Sequence, residues 1–258
     1  MKMMKAVILA GGRGTRLREE TEYRPKPLVE VGGMPILWHI MKIFYHKGIS
    51  NFELALGFKG HQIKDYFLNY AKFSRDLIIE TNLKNEKIIF DDSKIENWRI
   101  GLNDTGIETH TGGRLYKLRH KLNQTFLCTY GDGVANVDIL KLVQFHKLHG
   151  KVATVTAVHP AARFGSLTIS NDGNVSSFAE KPTSNSWVNG GFFVFEPKIF
   201  DYLDESSILE RQPLENLAIN GELMAWKHEG FWAPMDTIRD TEYLNNLWSQ
   251  NEAPWKIW

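Results

Sequence analysis

Glycines and cations crowd together in Gly11-Gly12-Arg13-Gly14-Thr15-Arg16 and again in Arg24-Pro25-Lys26-Pro27. Glycines let the main chain take positive φ angles and present N–H groups to an anion with no Cβ in the way, while Arg16 and Lys26 add fixed positive charge. The combination suits a phosphate cradle. It is neither of the two common phosphate loops: the dinucleotide fingerprint needs a small residue where Leu17 stands, and the P-loop needs Gly-Lys-Ser/Thr where Gly14-Thr15-Arg16 stands. A glycine-rich surface turn without a ligand is the bland alternative, and it leaves this concentration of glycine and charge without a purpose.

Two aspartates far apart in sequence complete the set. Asp132 lies between Gly131 and Gly133 after the apolar run Thr125 to Tyr130, and Asp236 lies in Pro234-Met235-Asp236-Thr237 just ahead of a closing helical pattern. An acid at the end of a strand can hold a metal against a bound phosphate, although a solvated turn aspartate would look the same. No Ser/His/Asp or Cys/His constellation accompanies them. Transfer at phosphorus needs charge neutralisation and in-line positioning more than a protein nucleophile, and an attacking phosphate monoester with a second pKa near ~6 needs no general base. His146 and His149 stand three apart without a third ligand and read as surface residues. Cys128, inside the apolar run, reads as a small core residue.

The elements that must position these groups follow a wound α/β rhythm. An apolar run from Ala6 to Ala10 predicts a buried strand. Pro35 to Lys47 predicts a helix, Asn51 to Leu56 a strand and Gly60 to Phe73 a helix, all with short joints. Between Asp76 and Thr105 the rhythm breaks, and Asp76 to Glu80, Lys87 to Asp91 and Trp98 to Leu102 read as a strand pair or hairpin inserted in the sheet, one that could reach out to another subunit. Thr111-Gly112-Gly113-Arg114 opens a helix carrying Leu115, Leu118 and Leu122. Ile139 to Leu148 predicts a further helix. Strands follow at Val152 to Val158, Gly165 to Ser170, Val175 to Ala179, Asn189 to Phe195 and Glu222 to Lys227, with a last helix from Ile238 to Trp248. The expectation is one domain over residues 1–258, with a nucleotide-binding half at about 1–135 and a second half at about 136–258.

The 258 residues carry a net charge of +1 and a single cysteine. Near-neutrality argues against a nucleic-acid or membrane partner, and the lone cysteine together with an apolar N-terminal run too short for a signal segment predicts a cytoplasmic protein.

Lys5 to Leu17 together with Pro25-Lys26-Pro27 resembles the signature of the sugar-phosphate nucleotidyltransferases. Thr111-Gly112-Gly113-Arg114, Tyr130-Gly131-Asp132-Gly133-Val134, Asn189-Gly190-Gly191-Phe192-Phe193 and Phe231-Trp232 with Pro234-Met235-Asp236-Thr237 are similar to the branch of that family that uses a cytosine nucleotide. The resemblance covers almost the whole chain and implies a mainly parallel mixed sheet flanked by helices, a Rossmann-like nucleotidyltransferase fold with a small inserted strand region. It implies CTP and glucose 1-phosphate as substrates, CDP-glucose and pyrophosphate as products, Mg²⁺ as cofactor and a homo-oligomer. Arg16 and Lys26 would be the catalytic charges. Leu9, Ala10, Gly11, Gly12, Arg13, Gly14 and Thr15 would wrap the nucleotide with them, and Thr111, Gly112, Arg114 and Gly131 would complete its site. Lys181, Asn189 and Gly190 would hold the sugar phosphate, and Asp132 and Asp236 the metal. Arg13 departs from the family pattern, which has an apolar residue there, and so does the Pro160-Ala161-Ala162-Arg163 turn.

Three rival readings remain open on the sequence. The base could be uridine or thymidine, since the triphosphate machinery does not read it. A metal-dependent glycosyltransferase also places acids after a strand, but usually as Asp-x-Asp. A nucleotide-sensing module would have no need of charges aimed at two phosphates.

Overall fold

The computed structural model describes residues 4–82, 85–91, 95–160, 166–170, 172–179 and 186–258. Its first strand is buried on both faces: Ala6, Ile8 and Ala10 enter one core, Val7 and Leu9 the other. Two-sided burial is why a central parallel strand reads as an unbroken apolar run. Seven strands form the main sheet: β1 (Lys5–Ala10), β2 (Asn51–Leu56), β3 (Arg99–Asp104), β4 (Phe126–Tyr130), β5 (Ala153–Val158), β6 (Val188–Phe195) and β7 (Leu223–His228). Their order is β7-β5-β6-β4-β1-β2-β3. The β1–β2, β1–β4, β2–β3 and β5–β7 pairs are parallel, while β6 runs antiparallel to both its neighbours.

The helices cover both faces. They are α1 (Ile36–His46), α2 (Gly60–Phe73), α3 (Thr111–Lys117), α4 (Ile139–His149), α5 (Gln212–Ile219) and α6 (Ile238–Ser249). Ile40 of α1, Ile63 of α2, Leu142 of α4 and Leu244 of α6 share a core with Ile8. Leu115 of α3 and Leu217 of α5 pack with Val7 and Cys128 on the other side, so Cys128 is the core residue its neighbours predicted.

Two expectations need revision. The segment between 76 and 105 divides: Leu77–Asn82 and Asn85–Phe90 pair as a separate antiparallel ribbon, whereas β3 is the edge of the main sheet, aligned on β2 from Asn51↔Arg99 to Leu56↔Asp104. His146 is not a surface residue. It is 1% exposed, with Nδ1 2.8 Å from Thr154 Oγ1 and Nε2 3.2 Å from Glu196 Oε1. Burial lowers its pKa. The leucines of α4 gave its apolar face, and the histidine joins that face because β5 supplies a hydroxyl for it.

The end of the chain folds back onto α1. Trp255 is fully buried, and its Nε1–H donates to Nδ1 of the equally buried His39 at 3.3 Å, while His39 Nε2 donates to the Val31 carbonyl at 2.8 Å. Burial pushes the His39 pKa down to about 4.

Candidate active site

Leu9 pairs with Tyr130 in register, so β1 and β4 end at the same level and release the glycine loop and Gly131-Asp132 side by side. The Gly131 N–H donates to the Leu9 carbonyl at 3.1 Å and ties the two exits together. Beyond them opens a cleft of about 360 Å³, placed as α/β sheets place ligand sites, past the carboxyl ends of the strands. Leu9, Ala10, Gly11, Gly12, Gly14, Thr15, Arg16, Lys26, Thr111, Arg114, Gly131 and Asp132 all line it. Arg13 and Gly112 do not. Arg13 turns to Glu108 with its guanidinium over the Phe58 ring, and Gly112 packs against Ser207.

The glycines serve different purposes. Gly14 has φ +63°, a left-handed conformation that frees the chain to turn into the short helical turn Thr15–Leu17. Gly11 is not left-handed; a Cβ there would lie 2.3 Å from the Arg114 guanidinium. That guanidinium is 2.9 Å from the carbonyl oxygens of Gly11 and Leu56 and 2.7 Å from that of Gly106 and from Thr105 Oγ1, and it donates to all four. Burial works against its charge and lowers its pKa. Arg114 therefore lies under the loop as a brace, with its donors directed at carbonyls and the Thr105 hydroxyl.

Four charged groups meet at one end of the cleft. Lys26 Nζ lies 2.6 Å from Asp132 Oδ2 and 2.7 Å from Asp236 Oδ1, and Arg16 Nη1 lies 2.6 Å from Asp236 Oδ2. Lys26 and Asp236 are nearly buried, with side chains 8% and 10% exposed. The fold brings the two aspartates together through a small ribbon. Gly133–Ala135 pairs with Trp232–Pro234, and the Met235 N–H donates to the Asp132 carbonyl at 2.7 Å. A capping box at the start of α6 then fixes Asp236, whose N–H donates to Asp240 Oδ2 at 3.0 Å beside the N-cap Thr237. Two carboxylates that converge on a single ammonium are hard oxygen donors within reach of one small cation, and they suit Mg²⁺ completed by water and substrate phosphate. Among the described residues no group of three or more His, Cys, Asp or Glu side chains could hold a metal unaided.

Asp236 itself lines a second cleft of about 740 Å³, together with His159, His228, Trp232, Asp240 and Tyr243 among others. Gly190 lies beside it through its carbonyl, which accepts from Trp232 Nε1 at 2.8 Å. Asn189 does not line the first cleft, but its Nδ2 donates at 3.2 Å to the hydroxyl of Tyr130, which does. Lys181 lies outside the described residues. Sequence reasoning missed Glu210 and Tyr130, both of which line the first cleft. For Tyr130 the neighbouring Gly131-Asp132 was a signal; Glu210, in a plain polar stretch ahead of α5, had none.

Comparison with known proteins gives the family and agrees with the fold. Residues 5–248 match the nucleotidyl transferase family model, and the chain belongs to that family. Within it the chain groups with the glucose-1-phosphate cytidylyltransferases. It is 49% identical over 259 residues to the glucose-1-phosphate cytidylyltransferase of Salmonella typhimurium, covering 99% of this chain and 100% of that one. A probable glucose-1-phosphate cytidylyltransferase of Bacillus subtilis is 43% identical over 258 residues, again covering 99% and 100%. The crystal structure of HddC from Yersinia pseudotuberculosis superposes with a TM-score of 0.68 at 23% identity over 95% of this chain and 100% of that one, which shows the shared fold.

Proposed function

We propose that the protein transfers a cytidylyl group from CTP to α-D-glucose 1-phosphate, giving CDP-glucose and pyrophosphate. The observation that carries this reading is the meeting of Arg16 and Lys26 with Asp132 and Asp236 at a glycine-lined cleft, in a chain so similar to the Salmonella enzyme. A phosphate oxygen of the sugar forms a bond to the α-phosphorus of CTP, and the bond from that phosphorus to the pyrophosphate oxygen breaks. The attacking group is already a dianion, so no proton has to be removed. Main-chain N–H groups of the glycine loop and Arg16 receive the triphosphate. Lys26 leans on the α-phosphate, where negative charge redistributes on the way to the transition state. Asp132 and Asp236 would hold Mg²⁺, which would supply charge neutralisation at the phosphate oxygens. Asn189 and Gly190 serve the sugar, and Lys181, on the strength of its Glu180-Lys181-Pro182 motif, the sugar phosphate.

No helix among the described residues is long and apolar enough to cross a membrane. A cytoplasmic homo-oligomer with no nucleic-acid or membrane partner completes the reading. Pyrophosphate release with glucose 1-phosphate and each of CTP, UTP, dTTP and GTP tests it. CTP is expected to be fastest, and UTP or dTTP exceeding it tenfold would overturn the base assignment.

A further inference from the structure

Glu210 is an acid in a cleft built for polyanions. Among the described residues no cation pairs with it. Its Oε2 accepts from Thr111 Oγ1 at 2.6 Å, on the first turn of α3, and its Oε1 accepts from the Tyr130 hydroxyl at 2.6 Å, at the end of β4. Thr111 Oγ1 also accepts from the Leu209 N–H at 3.0 Å. Because the Tyr130 proton is directed at Glu210, the phenol oxygen accepts from Asn189 Nδ2, and Asn189 Oδ1 accepts from the Gly191 N–H at 2.8 Å. Each link fixes the polarity of the next. Burial and the Glu210 charge both raise the Tyr130 pKa, so the phenol stays a donor.

The result is a directed chain from Asn189 through Tyr130 to Glu210, met from the other side by Thr111. Each of its three links joins one half of the molecule to the other, since Glu210 and Asn189 belong to the second and Thr111 and Tyr130 to the first. Bonds to an ionised acceptor are roughly twice as strong as neutral ones, so the carboxylate is the junction that holds both hydroxyls in one geometry. We propose that Glu210 is a positioning residue that couples the nucleotide side of the cleft, at Thr111, to the sugar side, at Asn189. This rests on the proposed placement of CTP and glucose 1-phosphate. With Asn189 Oδ1 and one N–H engaged, the remaining Nδ2–H is the donor left for a sugar hydroxyl.

The test is a KM comparison across substitutions at the junction and its two arms, each checked for folding by thermal melting. Glu210→Ala is expected to raise the KM for both substrates about tenfold, the cost of losing bonds to a charged group, with a smaller change in kcat. Glu210→Gln should recover most of this, since its amide can accept from Tyr130 and donate to Thr111. Tyr130→Phe, which removes one oxygen, should raise the KM for glucose 1-phosphate several-fold and leave that for CTP within twofold. The proposal is overturned if Glu210→Ala moves only one KM, if Glu210→Gln is as damaging as Glu210→Ala, or if Tyr130→Phe leaves the sugar KM unchanged. Asn189→Ala and Thr111→Val separate this from the underlying reading. If neither moves its own substrate's KM, the substrate placement is at fault; if both do and Tyr130→Phe does not, the coupling is.

Discussion

Two knots join the end of this chain to its beginning, and they are made of opposite materials. In the cleft, Lys26 and Arg16 meet Asp236 through 2.6–2.7 Å charged contacts. Behind α1, His39 meets Trp255 and is ringed edge-on by Trp38 and Trp248, all without a net charge. The sequence separations are nearly the same, 210 residues for Lys26 and Asp236 and 216 for His39 and Trp255. Stability alone favours the neutral solution, because a buried ion pair gains little over well-packed apolar groups once desolvation is counted. Charges held together in the cleft therefore point to a ligand that needs them, whereas the neutral knot is accounted for by packing alone.

The largest effect expected is catalytic. Lys26→Met keeps the aliphatic stem and removes the ammonium, and kcat should fall by about 10²–10³, the usual loss for one charge-stabilising group. The thermal midpoint should move little, since Arg16 still neutralises Asp236 and Asp132 is a third exposed. A raised KM with kcat intact would reduce Lys26 to a binding residue and blur the contrast between the knots.

Trp255→Ala should behave in reverse. Removing a fully buried indole costs about 3–5 kcal/mol, so the melting temperature should drop by roughly 10 °C while kcat of the folded enzyme stays near that of the parent. A large kcat loss at a temperature where the variant is folded would show that the neutral knot also shapes the cleft.

The neutral knot carries a pH signature. His39 donates from Nε2 and accepts at Nδ1, so protonation would set a second N–H against that of Trp255. Its folded pKa of about 4 lies below the ordinary 6.5, chiefly through burial. Above pH 6.5 both folded and unfolded states keep it neutral and its contribution is whole. As pH falls from 6.5 toward 4 the unfolded chain takes up a proton that the folded one refuses, and up to about 3 kcal/mol is lost. Urea melts between pH 7.5 and 5 should show a shallower loss for His39→Gln than for the parent. Identical slopes would sink the assignment. His146 and His149, whose pKa values are also lowered by burial, add to the parent's slope without removing the difference.

The two knots were not equally legible. Lys26 and the glycine loop could be read because their meaning is local: a few residues declare a phosphate site wherever the fold places them. Asp236 needed its surrounding motif, and only the ribbon pairing Gly133–Ala135 with Trp232–Pro234 explains why it meets Asp132. His39 and Trp255 gave no signal, since a histidine within α1 and a tryptophan near the end of the chain acquire a relationship only through packing. Glu210 is the extreme case. Strand β3 was legible as a strand but not in its place, for a related reason: an edge strand and an inserted hairpin share one alternating pattern, and register on Asn51–Leu56 decides between them.

The smallest effect is the most direct test of what the charged knot is for. The Lys26 ammonium lies between Asp132 and Asp236, at hydrogen-bond distance from both. A divalent cation entering there would face that ammonium, and Arg16 as well, across a few ångströms, a repulsion that weakens binding by an amount set by local screening. Triphosphate oxygens would draw the two cations off the carboxylates, so metal and nucleotide should bind together better than either alone. Manganese titration followed by electron paramagnetic resonance is expected to show weak binding to the free enzyme and tighter binding when CTP is present. Lys26→Met should bind manganese without nucleotide about tenfold more tightly than the parent, a gain of ~1.4 kcal/mol. A stability knot has no reason to behave so: if removing the ammonium leaves manganese affinity unchanged, Lys26 does not guard these carboxylates and the contrast between charged and neutral knots loses its functional meaning.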